Sequence, residues 1–421
     1  MTETMQDSGV EWIGEIPQGW EVVRVKDVLN FYNTQRIPLS AADRGLMIDK
    51  EFDYYGASGV IDKVDNYIFD GTYTLVAEDG ANLLSRNTPL AFIAEGQFWV
   101  NNHAHILKPR FGNIVFFTRF LESMDYSLFV TGAAQPKLTK ENLGKFKILN
   151  PPIPEQQAIA QYLDERCGKL DSIITIKKQQ IQTLDALRQS IIYQAVTKGL
   201  DDCVELVDSG VEWLGEIPKG WKVRKLKYIT KQIVDGTHFT PTYVETGVPF
   251  LRVTDIQTES IDFESIKFIP VEEHVELTKR AKPEKGDILL SKNGTIGITK
   301  VVEWDWEFSI FVSLCLIKLL PIVSPYYFSY FFESDVVNQQ ISESSKKTSV
   351  TNLHLVKIRE LLFCFPSLSD QQKIVNYLDD ETQRLAQLKA NLTQQINVLL
   401  DYKKSLIYEC VTGKKRVFKA G

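Results

Sequence analysis

The sequence contains no C-x-x-C pair. Its five cysteines, Cys167, Cys203, Cys315, Cys364 and Cys410, stand far apart, so neither a zinc site nor a disulfide framework is signalled, and a reducing cytoplasmic setting is expected. Long apolar runs are absent too. The most apolar stretch, Ser309 to Val323, is broken by Lys318 and Pro321, and the N-terminus lacks the basic, apolar and small-residue order of a secretory leader, so no membrane role is expected. Positive charge is in short supply: 48 basic against 54 acidic residues leave a net charge of -6, which argues against non-specific polyanion binding by the chain as a whole. The stretches 21 to 154 and 221 to 369 are each close to neutral, leaving room for basic patches there. There is no low-complexity tract, no Walker G-x-x-x-x-G-K-[ST] and no nuclease-like carboxylate cluster.

What is present is a repeat. Ser8-Gly9-Val10-Glu11-Trp12-Ile13-Gly14-Glu15-Ile16-Pro17-Gln18-Gly19-Trp20 returns half a chain later as Ser209-Gly210-Val211-Glu212-Trp213-Leu214-Gly215-Glu216-Ile217-Pro218-Lys219-Gly220-Trp221. Glu155-Gln156-Gln157 through Tyr162-Leu163-Asp164 returns as Asp370-Gln371-Gln372 through Tyr377-Leu378-Asp379. At 421 residues with 44% apolar content the chain is long enough for more than one core. A kept frame around two rewritten interiors suggests a reader of two different things.

Each half ends in a long helical pattern. Leu378, Leu385, Leu392, Leu399 and Leu406 recur at heptad spacing, and Leu163, Leu170, Leu184 and Ile191 share that frame, with Lys177 as the exception. Ile174, Ile181, Leu388 and Tyr402 are expected at the second seam position, giving a coiled coil. Each helix is about 45 residues, roughly 65 Å at the α-helical rise. The first helix leaves the first interior and ends shortly before the second interior begins, so the second helix can pair along it only by running back; the pair is expected to be antiparallel. Tyr73-Thr74-Leu75-Val76-Ala77, Ala91-Phe92-Ile93-Ala94, Asp287-Ile288-Leu289-Leu290-Ser291 and Leu314-Cys315-Leu316-Ile317 have strand composition between Gly-containing turns. Short helices are expected over Phe116 to Phe129 and Pro325 to Asn338. The organisation that follows is a signature over 1–20, a mixed domain over 21–153, a helix over 154–199, a linker with the second signature over 200–220, a mixed domain over 221–368, a helix over 369–413 and a basic tail over 414–421. The fold class is α+β: two strand-rich domains joined by two long antiparallel coiled-coil helices in a pseudo-twofold repeat.

Four stretches could carry chemistry. Asn150-Pro151-Pro152-Ile153 is similar to the loop with which amino-methyltransferases hold a flipped base, but Ile153 replaces the stacking aromatic and no Gly-rich cofactor loop opens a βαβ unit upstream. It reads instead as a rigid lead into the helix. Asn101-Asn102-His103-Ala104-His105 could place two imidazoles on one strand face, yet a third ligand is missing, so no metal is expected; hydrogen bonding to base edges or phosphates suits Asn101, Asn102 and His103 as well as ordinary strand packing does. The loop containing Thr237, His238 and Thr240, then Arg252, and the run Ser291-Lys292-Asn293-Gly294-Thr295 combine cations, amides and Gly-permitted close approach, and could meet phosphates or simply turn. Gln135 with Lys137, and Lys346 with Lys347, lie in paired basic, hydroxyl-rich stretches suited to the DNA backbone or to solvent. No coherent catalytic constellation is found, so the chain is not expected to be an enzyme.

In this doubled order the chain resembles, over nearly its whole length, the specificity subunit of a type I restriction-modification system. The resemblance rests on Glu11-Trp12-Ile13-Gly14-Glu15-Ile16-Pro17 and its repeat, on the Gln-Gln openings and the Ser190-Ile191-Ile192 and Ser405-Leu406-Ile407 endings of the helices, and on the interiors. Tyr55-Gly56-Ala57-Ser58-Gly59 and Ala77-Glu78-Asp79-Gly80-Ala81-Asn82 resemble one variety of target recognition domain; Asp235-Gly236-Thr237-His238 with Gly294-Thr295-Ile296-Gly297 resembles another. This adds Tyr55, Ser58, Asn82 and Arg86 to the candidate DNA contacts. The resemblance implies two target recognition domains, each reading one half of an asymmetric, split sequence in double-stranded DNA. It also implies helices that set the spacer and dock two methyltransferase subunits, and restriction subunits that join them. No cofactor is expected in this chain, because S-adenosylmethionine, ATP and magnesium would belong to those partners. A self-contained modification enzyme and a purely structural coiled-coil scaffold are the alternatives.

Overall fold

A computed structural model describes residues 4–132, 135–258, 260–343 and 353–417. The chain divides into two units, residues 1–178 with 393–421, and residues 179–392. The first unit contains β1 (Glu21–Arg24), β2 (Leu29–Phe31), β3 (Phe52–Gly56), β4 (Gly59–Val64), β5 (Phe69–Asp70), β6 (Tyr73–Ala77), β7 (Ala91–Ala94), β8 (Gln97–Val100) and β9 (Ala104–Pro109). Helix α1 (Ile114–Ser123), strand β10 (Lys147–Asn150) and the long helix α2 (Ile153–Lys198) follow. An antiparallel sheet runs β2-β9-β6-β7, and a second runs β4-β3-β8-β5 with β3 and β8 parallel. Strand β6 is buried on both faces, which explains its nearly unbroken apolar run: Leu75 packs with Phe69 and Phe98, while Val76 and Ala77 pack with Phe116 and Leu121. Thr74 spends its hydroxyl on Thr118, 2.6 Å away on α1.

The second unit repeats this plan with β11 (Lys222–Lys225), β12 (Thr230–Asp235), β13 (Val248–Leu251), β14 (Lys267–Ile269), β15 (Ile288–Ser291), β16 (Thr299–Val301), β17 (Ser309–Ile310) and β18 (Leu314–Leu319). Helix α3 (Pro325–Glu333), helix α4 (Leu355–Glu360), strand β19 (Leu362–Phe365) and the long helix α5 (Leu368–Val411) follow. The sheet β12-β18-β15-β16 matches β2-β9-β6-β7 strand for strand, and the second sheet, β14-β13-β17, again has a parallel pair at its heart. The aromatic helices match too. Phe116, Phe117, Phe120 and Leu121 of α1 are buried, as are Tyr327, Phe328, Phe331 and Phe332 of α3, the spacing of one inward face.

Within each unit the long helices pair antiparallel. In the first, Asp171 meets Lys403 at 2.6 Å and Lys177 reaches Gln395 at 2.5 Å; in the second, Asp185 meets Lys389 at 2.7 Å. Leu163, Leu170, Leu378, Leu385 and Leu406 are buried and Leu184, Ile191, Leu392 and Leu399 half-buried, so every heptad position faces inward. The second seam position needs a correction. Ile174 is buried and Ile181 half-buried, but Leu388 and Tyr402 are 43% and 51% exposed. On α5 that position lies four residues after each leucine, not three, where Ile396 is buried and Lys389 and Lys403 make the cross-helix pairs. Lys177, out of place in an apolar frame, is satisfied by the same pairing.

The repeated sequence markers are locks. The side-chain amide of Gln156, fully buried, donates to Asn150 Oδ1 (3.1 Å) and the Pro151 carbonyl (2.8 Å) and accepts from the Asn113 backbone N–H (2.8 Å) at the start of α1. Gln371 does the same for the Pro366 and Ile322 carbonyls (3.0 Å each) and the Ser324 N–H (2.8 Å) before α3. Each Trp signature packs on the end of a long helix: Trp221 against Gly199 in the second unit, and Pro17 and Trp20 against Gly413 in the first. Both glycines have positive φ, and a Cβ at Gly413 would sit 2.4 Å from Pro17. Trp20 also donates its indole N–H to Glu155 (2.8 Å), which pairs with Arg416 (3.2 Å).

Candidate nucleic-acid interface

Both units bring loops to the same corner of the four-stranded sheet, where β6 ends at Ala77 and β15 at Ser291. The next residue is a node. The Glu78 backbone N–H donates to the His103 carbonyl (2.9 Å) and its carbonyl accepts from the Leu138 N–H (2.8 Å). The Lys292 N–H donates to the Ser313 carbonyl (3.0 Å) and its carbonyl accepts from the Leu353 N–H (2.8 Å). One backbone pattern thus carries an acid in the first unit and a base in the second.

Around Glu78 the partners are cationic. Arg36 Nη1 donates to its carboxylate at 2.5 Å and also to the carbonyls of Asn102 (3.2 Å) and Ala104 (2.8 Å), and Lys137 Nζ stands 3.4 Å away. Burial alone would raise the Glu78 pKa, but the Arg36 hydrogen bond and the Arg36 and Lys137 charges hold it below the usual carboxylate range. His105, fully buried, lies between the Leu138 carbonyl at Nε2 (2.7 Å) and the Asn33 amide nitrogen at Nδ1 (2.7 Å). That pattern assigns the proton to Nε2, and burial pushes the imidazole pKa down, so the ring is neutral.

Around Lys292 the partner is anionic. Its Nζ lies 3.0 Å from Asp235 Oδ2, with the two side chains 4% and 7% exposed, and His238 Nε2 lies 3.5 Å from the same oxygen. Asp235 Oδ1 and Asn293 Oδ1 are buried without a hydrogen-bond partner among the described residues.

The candidate contacts separate by environment. Ser58, Asn102, Gln135, Lys137, Thr240 and Thr295 are exposed, as are His103, which pairs with Asp79 at 2.8 Å, and His238. Others are engaged inside the protein. Asn82 exchanges two 3.0 Å hydrogen bonds with the Thr88 backbone, Asn101 accepts from the His103 N–H (2.8 Å), and Thr237 is buried with its hydroxyl turned to Phe239. Arg86, at φ 50°, donates to the Glu122 and Met124 carbonyls at the end of α1. Arg252 pairs with Asp255 (3.1 Å), and half-buried Tyr55 packs on Phe92 and Phe98. Lys346 and Lys347 lie outside the described residues. The two imidazoles of the Asn-Asn-His-Ala-His run part company, His103 outward and His105 inward, and no cluster of three metal-ligating side chains occurs among the described residues.

Sequence reasoning missed Arg36, which no motif marks, and a basic groove of about 500 Å³ lined by Lys227, Lys231, Arg280 and Arg359 along the open edge of β12. Glu360 takes Lys227 at 2.6 Å; Lys231, Arg280 and Arg359 have no ion-pair partner among the described residues. In the first unit a cleft of about 420 Å³ beside Asn150-Pro151-Pro152-Ile153 is lined by Glu21, Asp27 and Arg110 as well as apolar groups. The Asn150 amide oxygen there accepts from Gln156 and so serves the helix start.

The comparisons with known proteins agree with this doubled plan. A putative type I restriction enzyme specificity subunit from Haemophilus influenzae is 27% identical over 90% of this chain and 89% of its own length. The type I restriction enzyme MjaVIII specificity subunit from Methanocaldococcus jannaschii is 23% identical over 96% of this chain and 94% of its own. Among solved structures, a chain from a study of complex assembly and conformational transition of the type I R-M system shares the fold with a TM-score of 0.67 at 16% identity, covering 95% of this chain and 99% of that one. The family model of the type I restriction modification DNA specificity domain matches twice, over residues 17–186 and 218–398. With two such matches filling most of its length, the chain belongs to the type I restriction-modification DNA specificity family.

Proposed function

We propose that the chain is the non-catalytic specificity subunit of a type I restriction-modification complex, reading an asymmetric, split sequence in double-stranded DNA. The observation that carries this reading is the repeated sheet corner: one backbone node, occupied twice, with unrelated side chains around it. Two readers of one design and different chemistry fit two different half-sites. Exposed Ser58, Asn102, His103, Gln135 and Lys137 would address the first, and His238, Thr240 and Thr295 the second, through base edges or phosphates. The groove containing Lys231, Arg280 and Arg359 would meet the phosphate backbone, as would Lys346 and Lys347. The two long helices, each running from one unit into the other, would set the spacer and dock two methyltransferase subunits, with restriction subunits joining them in the cytoplasm. S-adenosylmethionine, ATP and magnesium would be held by those partners.

The test is sequencing of methylated DNA from a host that expresses the cognate modification subunit with and without this chain. A single split motif seen only with the chain is the expected result. Methylation unchanged by its removal would favour a scaffold, and methylation by the isolated chain would favour a self-contained enzyme.

A further inference from the structure

We propose that Glu78 and Lys292 are the positioning residues of the two recognition surfaces, each keying its own unit's loops by a buried charge of opposite sign. The inference rests on the DNA-reading role proposed above and says which residues hold the reading loops in place.

The two residues stand at one node. Each follows the buried central strand of its four-stranded sheet, and each is fixed by two backbone hydrogen bonds to the same two neighbouring segments. The side chains then recruit different partners. In the first unit Arg36 ties the segment after β2 to Glu78 and, through the Asn102 and Ala104 carbonyls, to the β8–β9 turn that carries Asn102 and His103. Lys137 brings in the segment that carries Gln135. Two candidate reading loops and the segment that carries Arg36 are therefore tied to one carboxylate. In the second unit Lys292 holds Asp235 at the end of β12, directly before Thr237, His238 and Thr240, while its own loop continues into Asn293 and Thr295.

Both charges are largely withdrawn from solvent. Glu78 and Arg36 are 12% and 14% exposed, and Lys292 and Asp235 less, so water cannot stand in for a missing partner and each charge selects its counter-charge strongly. A loop carrying Arg36 would meet Lys292 as a like charge at the other node, and one carrying Asp235 would meet Glu78. The sets of loops are thus mutually exclusive although the sheets beneath them are alike. Each node residue acts through the loops it holds and not by touching a base.

The test uses the full chain assembled with its modification subunits, and reads the methylated motif by sequencing for wild type, Glu78→Gln, Lys292→Met and Lys292→Arg. Glu78→Gln should lower base discrimination at the first half-site by about ten-fold or more, the range set by losing one well-aligned base contact, with the second half-site unchanged. Lys292→Met should do the reverse, and Lys292→Arg, which keeps the charge, should restore most of the discrimination. If Lys292→Met does not assemble, the double variant Asp235→Asn/Lys292→Met removes both charges together, and it should assemble yet misread the second half-site. The proposal is overturned if the variants lower methylation evenly with the motif intact, if both half-sites relax together, or if the double variant reads as wild type. A wild-type complex without a split motif would instead overturn the functional reading itself.

Discussion

The first and second units share their scaffolding and invert their electrostatics. Gln156 and Gln371 close the same turn, Trp20 and Trp221 pack on the same kind of helix end, and residues 78 and 292 make the same backbone bonds. Yet the first node is a carboxylate among cations and the second an ammonium facing a carboxylate. Backbone geometry constrains the shared parts, because a helix start needs its N–H groups satisfied whatever lies beyond it. The node's charge is constrained only by its partners, so it is free to invert provided the surrounding loops change with it.

The comparison breaks hardest at the second node. Replacing Lys292 with Met takes from buried Asp235 its ammonium partner and leaves the exposed His238 imidazole 3.5 Å from the carboxylate, one oxygen of which has no hydrogen-bond partner among the described residues; a loss of about 3–5 kcal/mol is expected. Glu78→Gln should cost less, about 1–3 kcal/mol, because a neutral amide still accepts from Arg36 and the Asn102 and Ala104 carbonyls keep that guanidinium occupied. Denaturant midpoints of the two variants give the ordering, and hydrogen exchange at β15 against β6 locates each loss in its own unit. Equal losses would mean that the inverted charges are energetically equivalent.

The frame should behave symmetrically. Gln156→Ala and Gln371→Ala each strip a half-buried backbone N–H and a buried prolyl carbonyl of their partner, at about 1–3 kcal/mol. The two losses should agree within measurement. A large difference would show that the two locks, alike in geometry, carry different loads.

The scaffolding was legible in the sequence because it repeats. The Trp signatures and the Gln-Gln openings marked what both units need, and the leucine heptads pointed to helices over 154–199 and 369–413, which run Ile153–Lys198 and Leu368–Val411 and pair antiparallel within each unit. The second seam position was misplaced on α5 because Leu388 and Tyr402, three residues after their leucines, are the apolar choice, whereas two of the places four residues on hold Lys389 and Lys403; the burial of Ile396 and the cross-helix pairs of the two lysines mark the seam only in three dimensions. The candidate interface was legible as loops and not as side chains. Arg86 and Lys137 are both basic residues in polar loops, and only the fold shows one turned to the carbonyls at the end of α1 and the other left half in solvent. Arg36 carried no signal, since its role depends on a carboxylate 42 residues away.

The smallest expected effect is a difference in pH response. His105 and Cys315 occupy the same place, each on the strand beside the node, paired to the penultimate residue of β6 or β15. Burial lowers the His105 pKa and raises that of Cys315, so both are neutral at pH 7. A histidine held neutral contributes stability that is complete above its unfolded pKa, about 6.5, and is lost as pH falls below it, because the unfolded chain takes up the proton first. The thiol binds its proton in both states and contributes no slope in this range. Glu78, with a lowered pKa, loses its contribution only below the unfolded carboxylate value, about 4.3. Between pH 7 and 5 the first unit should therefore weaken relative to the second, as read by hydrogen exchange at β6 and β15. His105→Cys, which installs the second unit's residue in the first, should flatten that slope even if the variant is less stable at pH 7. An unchanged slope would assign the acid sensitivity to groups away from the node.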